Sequence, residues 1–343
     1  MLDTTTHMHN EVAEIPQAIQ RFLALSGDMA GQAAEALKAR NPALITTIAR
    51  GSSDHACAFL KYAIELYAGV PVASLGPSIA SIYGAKLRLQ SAATILVSQS
   101  GRSPDIIAMA EAARDGGALA LALTNNPTSP LAASADHAID IAAGPELSVA
   151  ATKTFVSSIV AGLAVLGKWQ GDHALLQALA DLPGHAEKAL SCDWSPLSEA
   201  LDAKNSFYVL GRGPSWAIAQ EVALKFKETC SLHAEAYSAA EVMHGPVELV
   251  ASDFPVLALC ARDAAEQSSV AAAEKIADTG AQVFLTSRLA RNSTKLPFVA
   301  TGHPLTDALC LVIPYYVFVE AYSRHLGLNP DKPARLNKVT RTR

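Results

Sequence analysis

The chain has 343 residues, half of them apolar, with 27 basic against 32 acidic side chains. That length and apolar share suit about two domains with substantial buried cores. The mildly acidic balance gives no general attraction for nucleic acid or an anionic membrane, so any anionic ligand must be held by a local site.

The first dozen residues are polar and acidic, unlike a secretory signal. Cys57, Cys192, Cys230, Cys260 and Cys310 are odd in number and never spaced Cys-x-x-Cys. They point to neither a disulfide framework nor a zinc site, and a cytoplasmic setting is expected.

Along the chain, short apolar runs at Leu44–Ala49, Thr94–Val97 and Ala118–Leu123 alternate with helical patterns, each ending in a turn rich in Gly, Ser or Asn. This is the rhythm of a parallel α/β sheet. After a helical stretch around Phe155–Ala203 the rhythm returns at Phe207–Leu210, Pro255–Leu259 and Gln282–Leu285. Gly51 and Gly213, Ser98 and Cys260, and Thr124 and Thr286 are each separated by 162 positions, so the halves read as repeats. The expected layout is an N-terminal segment 1–24, a first domain 25–170, a helical linker 171–194, a second domain 195–325 and a tail 326–343. The longest apolar run, Ala308–Val319, holds Pro314 and ends at Glu320, which reads as a buried helix rather than a membrane span.

Two loops at strand ends suit an anion. The strand ending at Ser98 runs through Gln99, Ser100, Gly101 and Arg102 into Ser103, an N-cap residue type, and Pro104 at the first helical position. Backbone N–H groups, the helix dipole and three serine hydroxyls fit a phosphate dianion, although an ordinary capped turn has the same composition. Gly51, Ser52 and Ser53 form a second such loop, equally readable as a tight turn. The counterpart Cys260–Asp263 has lost the serines and the glycine, so only the first half reads as a phosphate holder.

Several motifs in order resemble a known family: Gly51-Ser-Ser53, Ser98-Gln-Ser-Gly101, Glu146-x-x-Val149-Ala-Ala-Thr-Lys153, Lys225-x-x-Glu228, His233-Ala-Glu-Ala-Tyr237, His244-Gly-Pro246, Asp331-x-Pro333 and Leu336-x-Lys338. From about Glu11 onward the chain is similar to the tandem sugar isomerase (SIS) domains of glucosamine-6-phosphate synthase. The resemblance implies two similar α/β domains, each a flavodoxin-like parallel sheet flanked by helices in three layers. The synthase also has a glutaminase domain with an N-terminal cysteine nucleophile, and these 343 residues show neither. A relative working without glutamine is therefore expected. The loop after Gly101 looks closer to SIS-type deaminases.

The resemblance implies roles residue by residue. Glu228 would move a proton between C1 and C2, His244 from a neighbouring subunit would assist ring opening, and Lys338 would lie near the anomeric oxygen or carbonyl. Ser98, Gln99, Ser100 and Ser103, with Gly51, Ser52 and Ser53, would bind the substrate, Val149 and Thr152 would line its pocket, and Glu221 would be a second carboxylate nearby. Composition alone reads Glu228 as a helix carboxylate paired with Lys225 or Lys227, and His244 as a structural histidine. A structural role is expected for His233. The expectation is an enzyme converting glucosamine 6-phosphate to fructose 6-phosphate and ammonia, as a homodimer, with no metal or organic cofactor and no nucleic acid or membrane partner. The alternatives are another phosphosugar isomerase, a fructosamine-6-phosphate deglycase, or a non-catalytic sugar-phosphate-binding regulator.

Overall fold

Every side chain of Ala92–Val97 and all but the first of Leu119–Thr124 are buried. Strands buried on both faces belong to a parallel sheet covered by helices on each side. A computed structural model describes residues 5–338 and shows two such sheets. The first contains β1 (Leu44–Ile48), β2 (Val72–Ser74), β3 (Ala92–Val97), β4 (Leu119–Thr124) and β5 (His137–Asp140). Its order is β2-β1-β3-β4-β5, with all neighbours parallel. Across the central β1–β3 pair, Thr46 lies in register with Thr94, and their buried hydroxyls are 2.7 Å apart.

The second sheet contains β6 (Ser206–Gly211), β7 (His233–Ser238), β8 (Pro255–Leu259), β9 (Gln282–Leu285) and β10 (Thr294–Lys295), ordered β10-β9-β8-β6-β7. Both sheets therefore follow the doubly wound flavodoxin-like order, in which the chain reverses direction between the first and third strands. The repeat extends to backbone detail. Gly51 (φ 56°, ψ −134°) caps the helix Ser52–Tyr67, and Gly213 (φ 60°, ψ −138°) caps the helix Pro214–Cys230. The hydroxyls of Thr124 and Thr286 donate to the chain just past β3 and β8, at Gln99 and Cys260.

Sequence periodicity located the three inner strands of each sheet but not the edge strands β2, β5, β7 and β10. These present mostly half-exposed or exposed side chains, so no apolar run marks them. The apolar run Ala308–Val319 is shared by two consecutive helices, Pro304–Cys310 and Val312–His325, and Pro314 falls in the first turn of the latter, where its missing N–H is tolerated. By length and composition Pro304–His325 could cross a membrane, but 89% of its most apolar window is buried inside the fold.

The chain divides into two compact units. The first unit comprises Glu14–Glu146, Lys153–Ala180 and residues 337–338, and holds β1–β5. The second comprises residues 5–13, Leu147–Thr152 and Asp181–Leu336, and holds β6–β10.

Candidate active site

In the first unit, the loops following β1 and β3 stand side by side where strand order reverses, the place where open α/β sheets bind ligands. Ser98 is buried, and its hydroxyl accepts the Gly101 N–H at 3.2 Å, curling the loop on itself. The Ser100 hydroxyl accepts the Arg102 N–H at 3.3 Å, and the Gln99 carbonyl accepts the Asn125 N–H at 3.1 Å. Gly101 has φ +61°, and a β-carbon there would meet the Ser129 hydroxyl at 2.1 Å. The loop can close only around a glycine. Ser103 occupies the N-cap position of the helix Pro104–Asp115 in extended conformation, yet its hydroxyl makes no capping bond. Across from it, Gly51, Ser52 and Ser53 open the helix Ser52–Tyr67.

In the second unit the residues past β8 are engaged differently. Arg262 bonds the Asp307 carboxylate at 2.6 Å and the Thr286 carbonyl at 3.0 Å, and lies 3.8 Å above the Phe298 ring. A β-carbon on Gly213 would sit 4.0 Å from the Asp263 carboxylate, whose pKa burial raises. A carboxylate at that position opposes an anionic ligand, consistent with the missing serines.

The helix Pro214–Cys230 carries a row of three charges on one face, spaced four and three residues apart. Lys225 is fully buried, 3.2 Å from Glu221 and 2.5 Å from Glu228. Glu221 is also fully buried and accepts the Tyr316 hydroxyl at 3.0 Å. Burial alone would lower the Lys225 pKa, but the charges and hydrogen bonds of the two carboxylates outweigh it and push the ammonium up to about 12. Glu228 is the member that reaches solvent, 22% exposed. It lines an open concavity of about 750 Å³ together with Leu224, Lys227, His233 and the tail segment Pro333–Leu336. The pairing expected from composition thus exists, but between desolvated groups at the rim of a cavity rather than on a solvated face. Composition alone reads Lys225 as a surface partner of Glu228. Its spacing was visible and its burial was not.

The segment bearing Val149 and Thr152 is pinned in the second unit by two acids whose contacts sequence reasoning did not anticipate. Buried Glu11 accepts the Ser148 N–H at 3.2 Å, and also the Leu147 N–H and the Ser148 hydroxyl. The Asp331 carbonyl accepts the Val149 N–H at 3.1 Å, while its carboxylate accepts the N–H groups of His7 and Met8, each at 2.8 Å. In the first unit, Lys338 pairs with the buried Glu146 carboxylate at 3.0 Å, which also accepts the N–H and hydroxyl of Thr154.

His244 ends a short 3-10 turn, Glu241–His244, and is exposed. Among the described residues its imidazole makes no hydrogen bond or ion pair, and it does not line the Glu228 concavity. The turn itself is anchored, since the Tyr208 hydroxyl donates to the Pro246 carbonyl at 3.0 Å. His233 begins edge strand β7, with its Nδ1 3.1 Å from the Ser206 hydroxyl, a contact that fits the structural role expected for it. No group of three or more His, Cys, Asp or Glu side chains able to hold a metal ion occurs among the described residues.

The chain is thus a duplicated, doubly wound α/β protein, with a serine-rich loop at a strand end of its first unit and a desolvated carboxylate–ammonium row in its second. Residues 39–167 and 200–293 match the SIS domain model, and the chain belongs to that family. It is similar to the glutamine–fructose-6-phosphate aminotransferase (isomerizing) of Symbiobacterium thermophilum, 32% identical over 313 residues, covering 86% of this chain and 51% of that protein. The chain spans about half the length of the curated relatives it matches. Among solved structures, a Silicibacter pomeroyi protein assigned to the phosphosugar isomerases is 51% identical with a TM-score of 0.92, covering 95% of this chain and 100% of that one. The C-terminal domain of glucosamine-fructose-6-phosphate aminotransferase from Francisella tularensis is 26% identical with a TM-score of 0.85, covering 96% of this chain and 99% of that one.

Proposed function

We propose that this protein binds an amino-sugar 6-phosphate and converts glucosamine 6-phosphate to fructose 6-phosphate and ammonia. The observation that carries the reading is Glu228, the one solvent-reaching member of an otherwise buried carboxylate–lysine–carboxylate row. Moving a carbonyl between C1 and C2 needs a base that takes a proton from one carbon and returns it to the other. In this reading the phosphate sits on Ser98, Gln99, Ser100 and Ser103, beside Gly51, Ser52 and Ser53. Val149, Thr152 and Glu221 bound the sugar, and Lys338 serves the anomeric oxygen.

Ring opening assisted by His244 exposes the C1 aldehyde. Glu228 then removes the C2 proton and delivers it to C1, while the amine gives up a proton and O1 takes one, leaving a C1 hydroxyl and an imine at C2. Water adds to that carbon, and the C–N bond breaks to release ammonium and the C2 ketone. Lys225, held as an ammonium between its two carboxylates, fixes Glu228 in place at the rim of the concavity. His244, exposed and not among the residues lining the Glu228 concavity, serves the site of a second copy of the chain in this proposal.

A substrate panel tests the assignment: glucosamine 6-phosphate, N-substituted fructosamine 6-phosphates, and hexose 6-phosphates without nitrogen. The expected result is ammonia release from the first at a rate well above the others. Turnover confined to the nitrogen-free sugars would reassign the protein as a plain aldose–ketose isomerase, turnover confined to N-substituted substrates would make it a deglycase, and binding without any turnover would make it a regulator.

A further inference from the structure

Each repeat places an arginine directly before its capping glycine, Arg50 before Gly51 and Arg212 before Gly213. The two arginines are used differently. Arg50 Nε lies 2.5 Å from the carboxylate of Asp105, in the first turn of the helix that starts at Pro104. The Asp105 side chain is fully buried and also accepts the Ile106 N–H at 2.9 Å, so it is a fixed acceptor, while the Arg50 side chain remains 46% exposed. In the second repeat, Gln267 stands where Asp105 does in the first, and Arg212 bonds the Ser268 hydroxyl at 3.1 Å. The carboxylate-oriented arginine occurs in the repeat that keeps the serine-rich loop.

A carboxylate in the first turn of an anion-binding helix is a local electrostatic conflict, because it repels the charge that the helix terminus attracts. A guanidinium bound to it through Nε resolves the conflict and leaves its other N–H groups for a second acceptor. From this we infer that Arg50 is a phosphate-binding residue of the Ser98 loop and that Asp105 is its positioning residue, holding the guanidinium between the ends of β1 and β3. The ligand class is a phosphate monoester dianion. The inference rests on the phosphate-loop reading of the proposed function and adds to it the cation that the serine hydroxyls alone do not supply.

The test is calorimetric titration of the full chain with inorganic phosphate, in parallel with the KM for the preferred sugar phosphate. Loss of a charge-assisted bond to phosphate predicts that Arg50→Gln raises the phosphate Kd about tenfold or more and reduces its salt dependence. Arg50→Lys is expected to give an intermediate Kd, because charge is kept and the fork is lost. Asp105→Asn should raise KM while leaving kcat nearly unchanged, and Arg212→Gln should leave phosphate affinity unchanged. Arg50→Lys also decides the matter should the glutamine variant fail to fold, as judged by thermal unfolding. If Ser98→Ala weakens phosphate binding while the Arg50 variants stay within about twofold of wild type, the inference is overturned and the phosphate loop stands. If the wild-type chain binds neither phosphate nor any sugar phosphate, the underlying reading is overturned instead.

Discussion

At the scale of single residues, Lys225 shows how far burial changes the meaning of a sequence pattern. A lysine four residues after one glutamate and three before another is, on an exposed helix, a minor surface contribution of a few tenths of a kcal/mol. Here the ammonium is fully buried and raised to about 12. Its stabilisation is fully present below the ordinary lysine value near 10.5 and lost as pH rises through about 12. Lys225→Met would leave two carboxylates facing each other without a counter-charge. Breaking a buried pair typically costs about 3 to 5 kcal/mol, so denaturant titration at neutral pH should show a midpoint loss of that order. A loss under about 1 kcal/mol would mean that the triplet is solvated in solution.

Whole elements are held by local devices that differ in cost. At the phosphate loop, Gly101→Ala combines a positive φ with a clash against Ser129, whose hydroxyl is already engaged in capping the helix Pro130–Ser134. The left-handed conformation alone costs about 1 to 2 kcal/mol for an L side chain. Differential scanning calorimetry should show a lowered Tm, and phosphate affinity should fall with it. Affinity equal to wild type would remove the loop from the site. The helix His7–Ala13 depends on Asp331, whose carboxylate holds its first N–H groups. Asp331→Ala should cost about 0.5 to 2 kcal/mol, as for the loss of an N-cap, and make the tail a faster target for limited proteolysis.

The same elements explain what was legible in the sequence. β3, β4 and β8 could be read because strands covered on both faces must be apolar throughout, and the matched glycines could be read because a turn of that φ tolerates little else. The edge strands could not, since half-exposed strands carry no such run. Of the candidate site, the Ser98–Ser103 loop and Glu228 were singled out by motif. The Arg50–Asp105 and Glu11–Ser148 contacts join residues 55 and 137 positions apart, and no local pattern encodes them.

For the molecule as a whole, the proposal brings in a second copy of the chain to supply His244, which is exposed and is not among the residues lining the Glu228 concavity. Glu228→Gln and His244→Ala should each be inactive alone. Co-expressed, they should recover up to about a quarter of wild-type activity if each site draws its histidine from the partner, since random pairing leaves about that share of sites with both residues intact. No recovery from stable mixed dimers would place His244 in the site of its own chain or outside any site.

Proton transfer by Glu228 on an amino-sugar phosphate is the central claim, and Glu228→Gln reaches it most directly. Ammonia and fructose 6-phosphate released from glucosamine 6-phosphate should be measured for wild type and variant, with sugar-phosphate binding followed in parallel. The account predicts equimolar products from the wild type. For the variant it predicts a fall in kcat of about a hundredfold to ten-thousandfold, the usual contribution of a general base, with binding retained. A variant that still turns over at a rate near wild type, or a wild type that binds the sugar phosphate and releases neither product, would contradict it.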